Sequence, residues 1–263
     1  FVGSCTDINA RYQETERQAL LASLSTALDS AGGVDEQLAR LARLAVDSHL
    51  AEMCVVRRVG DDGSMELSGV AATDPGTERA MSALDPDSEL GRRAAAGTTV
   101  LVPDVPDGWP FPGRDLPEEQ LALHRRMGVR SAITVPLAVR GRVLAVLALG
   151  RRADAPRFNE DDRALAEEIA GRAALALDNS LLLAEERASA ARLALLQQAT
   201  AELSAATTPT EVAAVTATYV RRLIGPTAEL GVFEVDRQQR VLTALALDGL
   251  QSSAAEDCSP SRA

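Results

Sequence analysis

Residues 128–150 read GVRSAITVPLAVRGRVLAVLALG, and the character of this stretch decides the fold. Two runs of Val, Leu, Ile and Ala, 131–139 and 143–150, are separated by Arg140-Gly141-Arg142. Apolar β-prone runs with a short glycine-containing break read as an antiparallel hairpin. Apolar residues barely alternate with polar ones, so both faces of these strands are expected to be buried. A sheet covered on both sides needs helices on both sides.

The flanking sequence supplies them. Residues 117–127 have helical spacing, and 98–102 form a strand closed by Pro103-Asp104. Between them, 106–117 is rich in Pro, Gly and Asp, holds the chain's one tryptophan, Trp109, and reads as a loop. Residues 75–97 read as two short helices, and 53–59 with 66–72 as a hairpin about Asp61-Asp62-Gly63. Two helices precede that hairpin: 9–29, with Leu20, Leu21, Leu24 and Leu28 at helical spacing, and 35–49, with Leu38, Leu41, Ala42 and Ala45. Downstream, Asn159 is an N-cap with Glu160, Asp161 and Asp162 in the first turn, where carboxylates suit the helix dipole. From there helix can run to about Ala205, a rod of roughly 65–70 Å at ~1.5 Å per residue. After Thr208-Pro209 a helix–strand–turn–strand order returns over 212–247 and echoes 38–72, an internal repeat that stops after its second strand. The fold expected is α+β, an antiparallel sheet flanked by helices with long helical, coiled-coil-like connectors.

Composition narrows the function. Of 263 residues 46% are hydrophobic but only 3% aromatic, so the core must be built from Leu, Val, Ala and Ile. The net charge of -11 argues against nucleic acid as a partner. All 27 basic residues are arginine, and the pairs Arg57-Arg58, Arg125-Arg126 and Arg151-Arg152 read as solvated faces. Cys5, Cys54 and Cys258 are far apart, which supports neither a disulfide framework nor a zinc site and suits a reducing cytoplasm. No apolar run approaches the ~20 residues of a membrane helix. The chain starts at Phe1 and is expected to begin inside a longer protein.

Several segments in combination resemble the GAF domain family. TVLVPDV at 99–105 resembles the strand and cap after the GAF crossover. GVRSAITVPL at 128–137 is similar to that family's "G-x-R-S-x-x-x-V-P-L" turn into a strand. RFNEDD at 157–162, followed by Leu165 and Ala166, and ALALDNS at 174–180 resemble its closing helix. FVGSCTDI at 1–8 resembles the last strand of a PAS domain. The resemblances imply a PAS-like strand at 1–8, a connector helix at 9–19, a GAF domain at 20–183 and a helical linker at 184–205. A partial second GAF-like domain at 206–250 and a disordered tail at 251–263 complete the organisation. The implied parent is a bacterial signalling protein whose output domain is a histidine kinase, a PPM-type serine phosphatase or a cyclic-dinucleotide enzyme.

The chain itself is expected not to be an enzyme, with no catalytic or metal-binding residue and no cofactor. There is no Ser-His-Asp set, no phosphate-cradling glycine loop and no acceptor-histidine motif. Bilin-binding GAF domains need a suitably placed cysteine, whereas Cys54 lies mid-strand. A chain without lysine cannot supply the Asn-Lys…Phe…Asp-Glu signature of cyclic-nucleotide members, and one cysteine cannot reduce methionine sulfoxide as the several of that GAF enzyme do. His49 and His124 read as capping or surface residues.

The resemblance does imply a cavity between the sheet and its crossover. Candidate lining residues are Cys54, Val56, Val102, Asp104, His124, Arg130 and Ser131; equally, Cys54, Val56 and Val102 are ordinary core and Asp104 caps a turn. Leu177, Leu181, Ala184, Ala188, Ala191 and Leu195 fall at alternating four-three spacing, the seam of a two-stranded coiled coil. Two readings remain: a homodimeric relay that transmits through its helices, and a receptor whose unknown small-molecule ligand shifts helix populations. They differ in whether the space behind Trp109 and the crossover is open or filled.

Overall fold

The computed structural model describes residues 17–24, 26, 28, 32–84, 88–105, 118–225, 230–236 and 241–248. The expected PAS-like strand at 1–8, the start of the connector helix, the loop 106–117 with Trp109, and the tail 251–263 lie outside the described residues. The chain divides into two compact units, 1–182 and 183–263.

The first unit is built on an antiparallel sheet of β1 (Met53–Val59), β2 (Met65–Ala72), β3 (Val100–Val102), β4 (Ser131–Val139) and β5 (Arg142–Arg151), in the order β2-β1-β5-β4-β3. The β4–β5 hairpin closes through Arg140 and Gly141, both at positive φ (53° and 79°), the geometry of a primed two-residue turn. The two hairpins join where their most apolar strands meet, with Met53 opposite Gly150 and Arg58 opposite Ala145. The edge strand β3 is shorter than the five residues expected. The helix before it ends with Gly97 at φ 88° and the Thr98 N–H donated back to the Arg93 carbonyl at 3.0 Å, so Thr98 cannot join the sheet.

One face of the sheet is covered by α1 (helical at 17–24, 26 and 28), α2 (Val34–Asp47) and the first part of α6 (Glu160–Ala205). Leu24 and Leu28 of α1, Leu38 and Leu41 of α2, and Ile169 and Leu177 of α6 meet Cys54, Val56, Ile133, Val135 and Leu147 of the sheet. Close approach is a matter of small residues. A Cβ on Gly69 of β2 would stand 2.7 Å from the Leu38 carbonyl oxygen, and α6 presents Ala166, Ala170, Ala173 and Ala174. The helices are also tied by polar contacts. Gln37 on α2 is buried, and its Nε2 donates to the Leu28 carbonyl and to Ser180 Oγ of α6, both at 2.8 Å. Arg17 of α1 pairs with Glu168 of α6.

The other face carries α3 (Pro75–Ser82), α4 (Glu89–Ala95) and α5 (Glu118–Met127). Asp74 and Ser88 cap α3 and α4, accepting from the N–H groups of Thr77 and Gly91. Arg151 and Arg152, expected on a solvated face, are instead clamps. Arg151 donates to the Leu50 carbonyl and Asp162 and lies 4.1 Å over the Phe158 ring. Arg152 reaches Asp74 at 2.6 Å and the Met127 carbonyl at 3.1 Å, holding α3 and α5 to the end of β5.

In the second unit α7 (Pro209–Ile224) opens with a capping box between Thr208 and Glu211, and β6 (Leu230–Asp236) pairs antiparallel with β7 (Val241–Asp248). The helix–strand–strand order is that read from the sequence. Tyr219 is buried and its hydroxyl donates to Glu202 at 2.6 Å. The division between the units falls within α6. Among the described residues no helix is long and apolar enough to cross a membrane.

Candidate functional site

A cavity of about 180 Å³ lies between the sheet and the α3, α4 and α5 layer. Its floor is the face of the sheet turned away from α2 and α6: Met53, Val55 and Arg57 of β1, Ala132 and Thr134 of β4, Val146, Ala148 and Gly150 of β5. Met81 and Leu84, Leu90 and Gly91, and His124 and Met127 come from the helical layer, with Met65 on β2 and Val105 after β3. Gly150 makes room for its cross-strand neighbour, since a Cβ there would sit 2.8 Å from Met53 Cγ. All four methionines of the chain line this one cavity.

Among the described residues the wall is mainly apolar, with four polar side chains. Arg57 donates from Nη2 to the Leu84 carbonyl at 3.1 Å, which orients the guanidinium across the floor. Ser88 is engaged in capping α4, and Thr134 is buried. Burial lowers the pKa of His124, so its imidazole favours the neutral form. Among the described residues no Asp or Glu lines the cavity.

Of the residues expected to bind a ligand, only His124 lines the cavity. Cys54 and Val56 are wholly buried on the opposite face of β1, in the core under the helices. These two are therefore the ordinary core residues of the alternative reading, one residue of strand phase away from the cavity face. Burial pushes the Cys54 thiol far above its ordinary pKa, which leaves it an inert core residue. Val102 and Ser131 belong to a structural staple: Ser131 Oγ donates to the Val102 carbonyl at 3.2 Å and accepts the Phe158 N–H at 2.9 Å. Asp104 is exposed and pairs with Arg157 at 3.4 Å. Arg130 is held through its backbone, its N–H donated to Arg151 and its carbonyl accepting from Val105. His49 is exposed, in a left-handed conformation (φ 58°) just beyond α2. Among the described residues no group of three or more His, Cys, Asp and Glu is placed to hold a metal ion.

Along α6, Leu177 is 0% exposed and packs into the domain core, so it is not a seam position. Leu181, Ala184, Ala188 and Ala191 are exposed and Leu195 partly so. Larger side chains are exposed on the other side of the helix: Leu175, Leu182, Leu196 and Leu203.

The sheet order and the two helical layers define an α+β domain, and residues 34–177 match the GAF domain family. That is more than half of the chain, which belongs to this family. No curated protein sequence matches it. Among solved structures, the bacteriophytochrome RpBphP3 from R. palustris is similar over 92% of this chain and 51% of its own, at 15% identity and a TM-score of 0.58. A GAF domain/HD domain protein from Geobacter sulfurreducens is 21% identical over 60% of this chain and 98% of its own, with a TM-score of 0.45. A domain of a two-component sensor histidine kinase protein from Sinorhizobium meliloti is 14% identical over 60% of this chain and 99% of its own, with a TM-score of 0.44. At these identities the likeness is one of fold.

Proposed function

We propose that this chain is a sensory module of a bacterial signalling protein, in which the GAF domain relays a signal through α6 paired with α6 of a second copy. The observation that carries the reading is the stripe on α6. Leu175, Leu182, Leu196 and Leu203 fall on a strict seven-residue repeat, with Ser189 at the remaining position, and all four leucines are exposed. A seven-residue apolar repeat on an exposed helix face suits a like helix in a two-stranded coiled coil. Leu177 and Ala184, on the opposite side, start from the face that rests on the sheet, which favours the leucine stripe as the seam. The ties from Gln37 and Arg17 join α1 and α2 to the same helix and supply a physical link from the preceding segment to the following one. The PAS-like start, the partial second GAF-like domain, the output domain and cytoplasmic placement belong to this reading as well.

Sedimentation velocity of the full chain tests it. The wild type is expected to be a dimer. The double variant L182D/L196D is expected to be monomeric with unchanged far-UV circular dichroism, since these leucines are 39% and 45% exposed and hold no core. A monomeric wild type, or a dimer indifferent to the two charges, refutes the pairing.

The cavity favours a second, compatible reading, in which the domain is a small-molecule receptor. A well-packed relay has no use for an open, partly polar pocket, and pockets of this composition are the usual place for ligands. Native mass spectrometry of protein purified from a bacterial host tests this directly. A co-purified small molecule released on unfolding supports it.

A further inference from the structure

We propose that the cavity takes a small uncharged ring molecule carrying one hydrogen-bonding group, as a phenol does, with its ring among the methionines and its polar atom at Thr134. The inference deepens the receptor reading and rests on it.

The space is built into the sheet. Ala132 of β4 stands opposite Gly150 of β5, and Thr134 opposite Ala148. These four adjacent small residues lie on the cavity floor. On the other face of the same two strands, Ile133, Val135 and Leu147 are large and wholly buried under the helices. One strand pair is thus filled on one side and hollowed on the other. An apolar cavity of ~150 Å³ accommodates a benzene-sized guest. The cavity of about 180 Å³ has room for one substituted ring.

The wall is sorted in the same way. The core under α1, α2 and α6 is built from Leu, Ala, Val, Ile, one Cys and one Phe and contains no methionine. Met53, Met65, Met81 and Met127 all line the cavity. Branched side chains define a rigid shape, whereas unbranched thioethers repack around a guest and favour the edges of aromatic rings, with sulfur ~5 Å from the ring.

Thr134 supplies the polar contact. Arg57, Ser88 and His124 have partners within the protein. Thr134 is 2% exposed, lies on the cavity floor, and among the described residues its hydroxyl makes no hydrogen bond. A buried hydroxyl without a partner costs free energy that the polar atom of a guest recovers. A hydroxyl both donates and accepts, so it suits a phenolic O–H. Being neutral, it returns little of the hydration that a charged guest surrenders.

The test uses the full chain with ¹³C-labelled methionine methyls, because every methionine signal of this sequence reports on the cavity. Three probes are titrated: xenon, toluene and phenol, the last two alike in size. All three are expected to shift the methionine signals saturably. T134V exchanges the hydroxyl for a methyl and is expected to weaken phenol about fivefold, the worth of one neutral hydrogen bond, with toluene unchanged within about twofold. T134S keeps the hydroxyl and is expected to keep the affinity for phenol. Should T134V fail to fold, Overhauser contacts between the ortho protons of phenol and the Thr134 methyl in the wild type make the same test, and their absence counts against the proposal. If T134V weakens both ring probes equally or neither, or if xenon alone shifts the signals, the ligand class is wrong while the cavity and the receptor reading survive. Methionine signals that respond to none of the three probes overturn both.

Discussion

Replacing Ser131 by Ala separates a structural residue from a binding one. Ser131 is wholly buried; its hydroxyl accepts the Phe158 N–H at 2.9 Å and donates to the Val102 carbonyl at 3.2 Å. S131A removes both bonds and leaves the Phe158 donor without its acceptor, in a segment where the Phe158 side chain itself is buried. A buried donor left unsatisfied costs about 1–3 kcal/mol, and the loss of the second bond about 0.5–1.5 kcal/mol. The domain should lose about 2–4 kcal/mol. With a urea dependence of about 2 kcal/mol per molar, the midpoint should fall by ~1–2 M. Unfolding followed by the methionine methyl signals reads the first unit alone, since all four methionines lie within it. The reasoning fails if the midpoint moves by less than ~0.3 M.

Four other outcomes are expected. G69A should destabilise by about 1–3 kcal/mol in urea melts, because the new Cβ would stand 2.7 Å from the Leu38 carbonyl oxygen and 2.9 Å from Ala39 Cα, both backbone. G171A, with nothing within 4 Å in the middle of α6, should instead stabilise by ~0.5–1 kcal/mol. In a C5S/C258S background, Cys54 should resist a disulfide-exchange reagent in the native protein and react fully on denaturation, as its burial and raised pKa dictate. Asp74 is held below its ordinary pKa by Arg152 and by Thr77, so it contributes stability above about pH 4 that is lost as pH falls through the lowered native value. The gap in melting temperature between wild type and D74N should therefore narrow on acidification below that pH; a constant gap contradicts it.

The sheet was legible because its evidence is local. Asp61-Asp62-Gly63 and Arg140-Gly141 mark the turns, and the apolar runs beside them give strands whose pairing follows from the turns. The face of β1 was not legible from the strand itself. MCVVRRV is apolar at both phases up to Val56, so Cys54 and Val56 look as fit for a cavity as Met53 and Val55. Two signals carried the answer. Arg57 shares its phase with Met53 and Val55, and an arginine cannot be turned into a close-packed core. The four methionines, scattered in sequence at 53, 65, 81 and 127, lie on four of the segments that form the wall. The place of Leu177 on α6 was hidden for a related reason. Leucines occur on both sides of the helix, and the side that rests on the sheet is decided by tertiary packing. Leu177 at 0% exposure and Leu175 at 57% differ by two residues of helix and by nothing in their chemistry.

The segregation of side chains across the sheet has a consequence for how binding could reach α6. Met53 and Val55 face the cavity, and Cys54 and Val56, one peptide unit away, bear on the core that holds α2 and α6. A close-packed interior transmits displacement, and the alanines of α6 leave little slack between that helix and the strands. The methionines act in the opposite sense, absorbing by rotamer changes what a rigid wall would pass on. A guest that fits the repacked thioethers without moving β1 binds tightly and leaves the helices where they were. A ligand shifts their populations only by its difference in affinity for the two arrangements, tenfold for each ~1.4 kcal/mol. Affinity and signalling are then separate properties of a ligand for this domain.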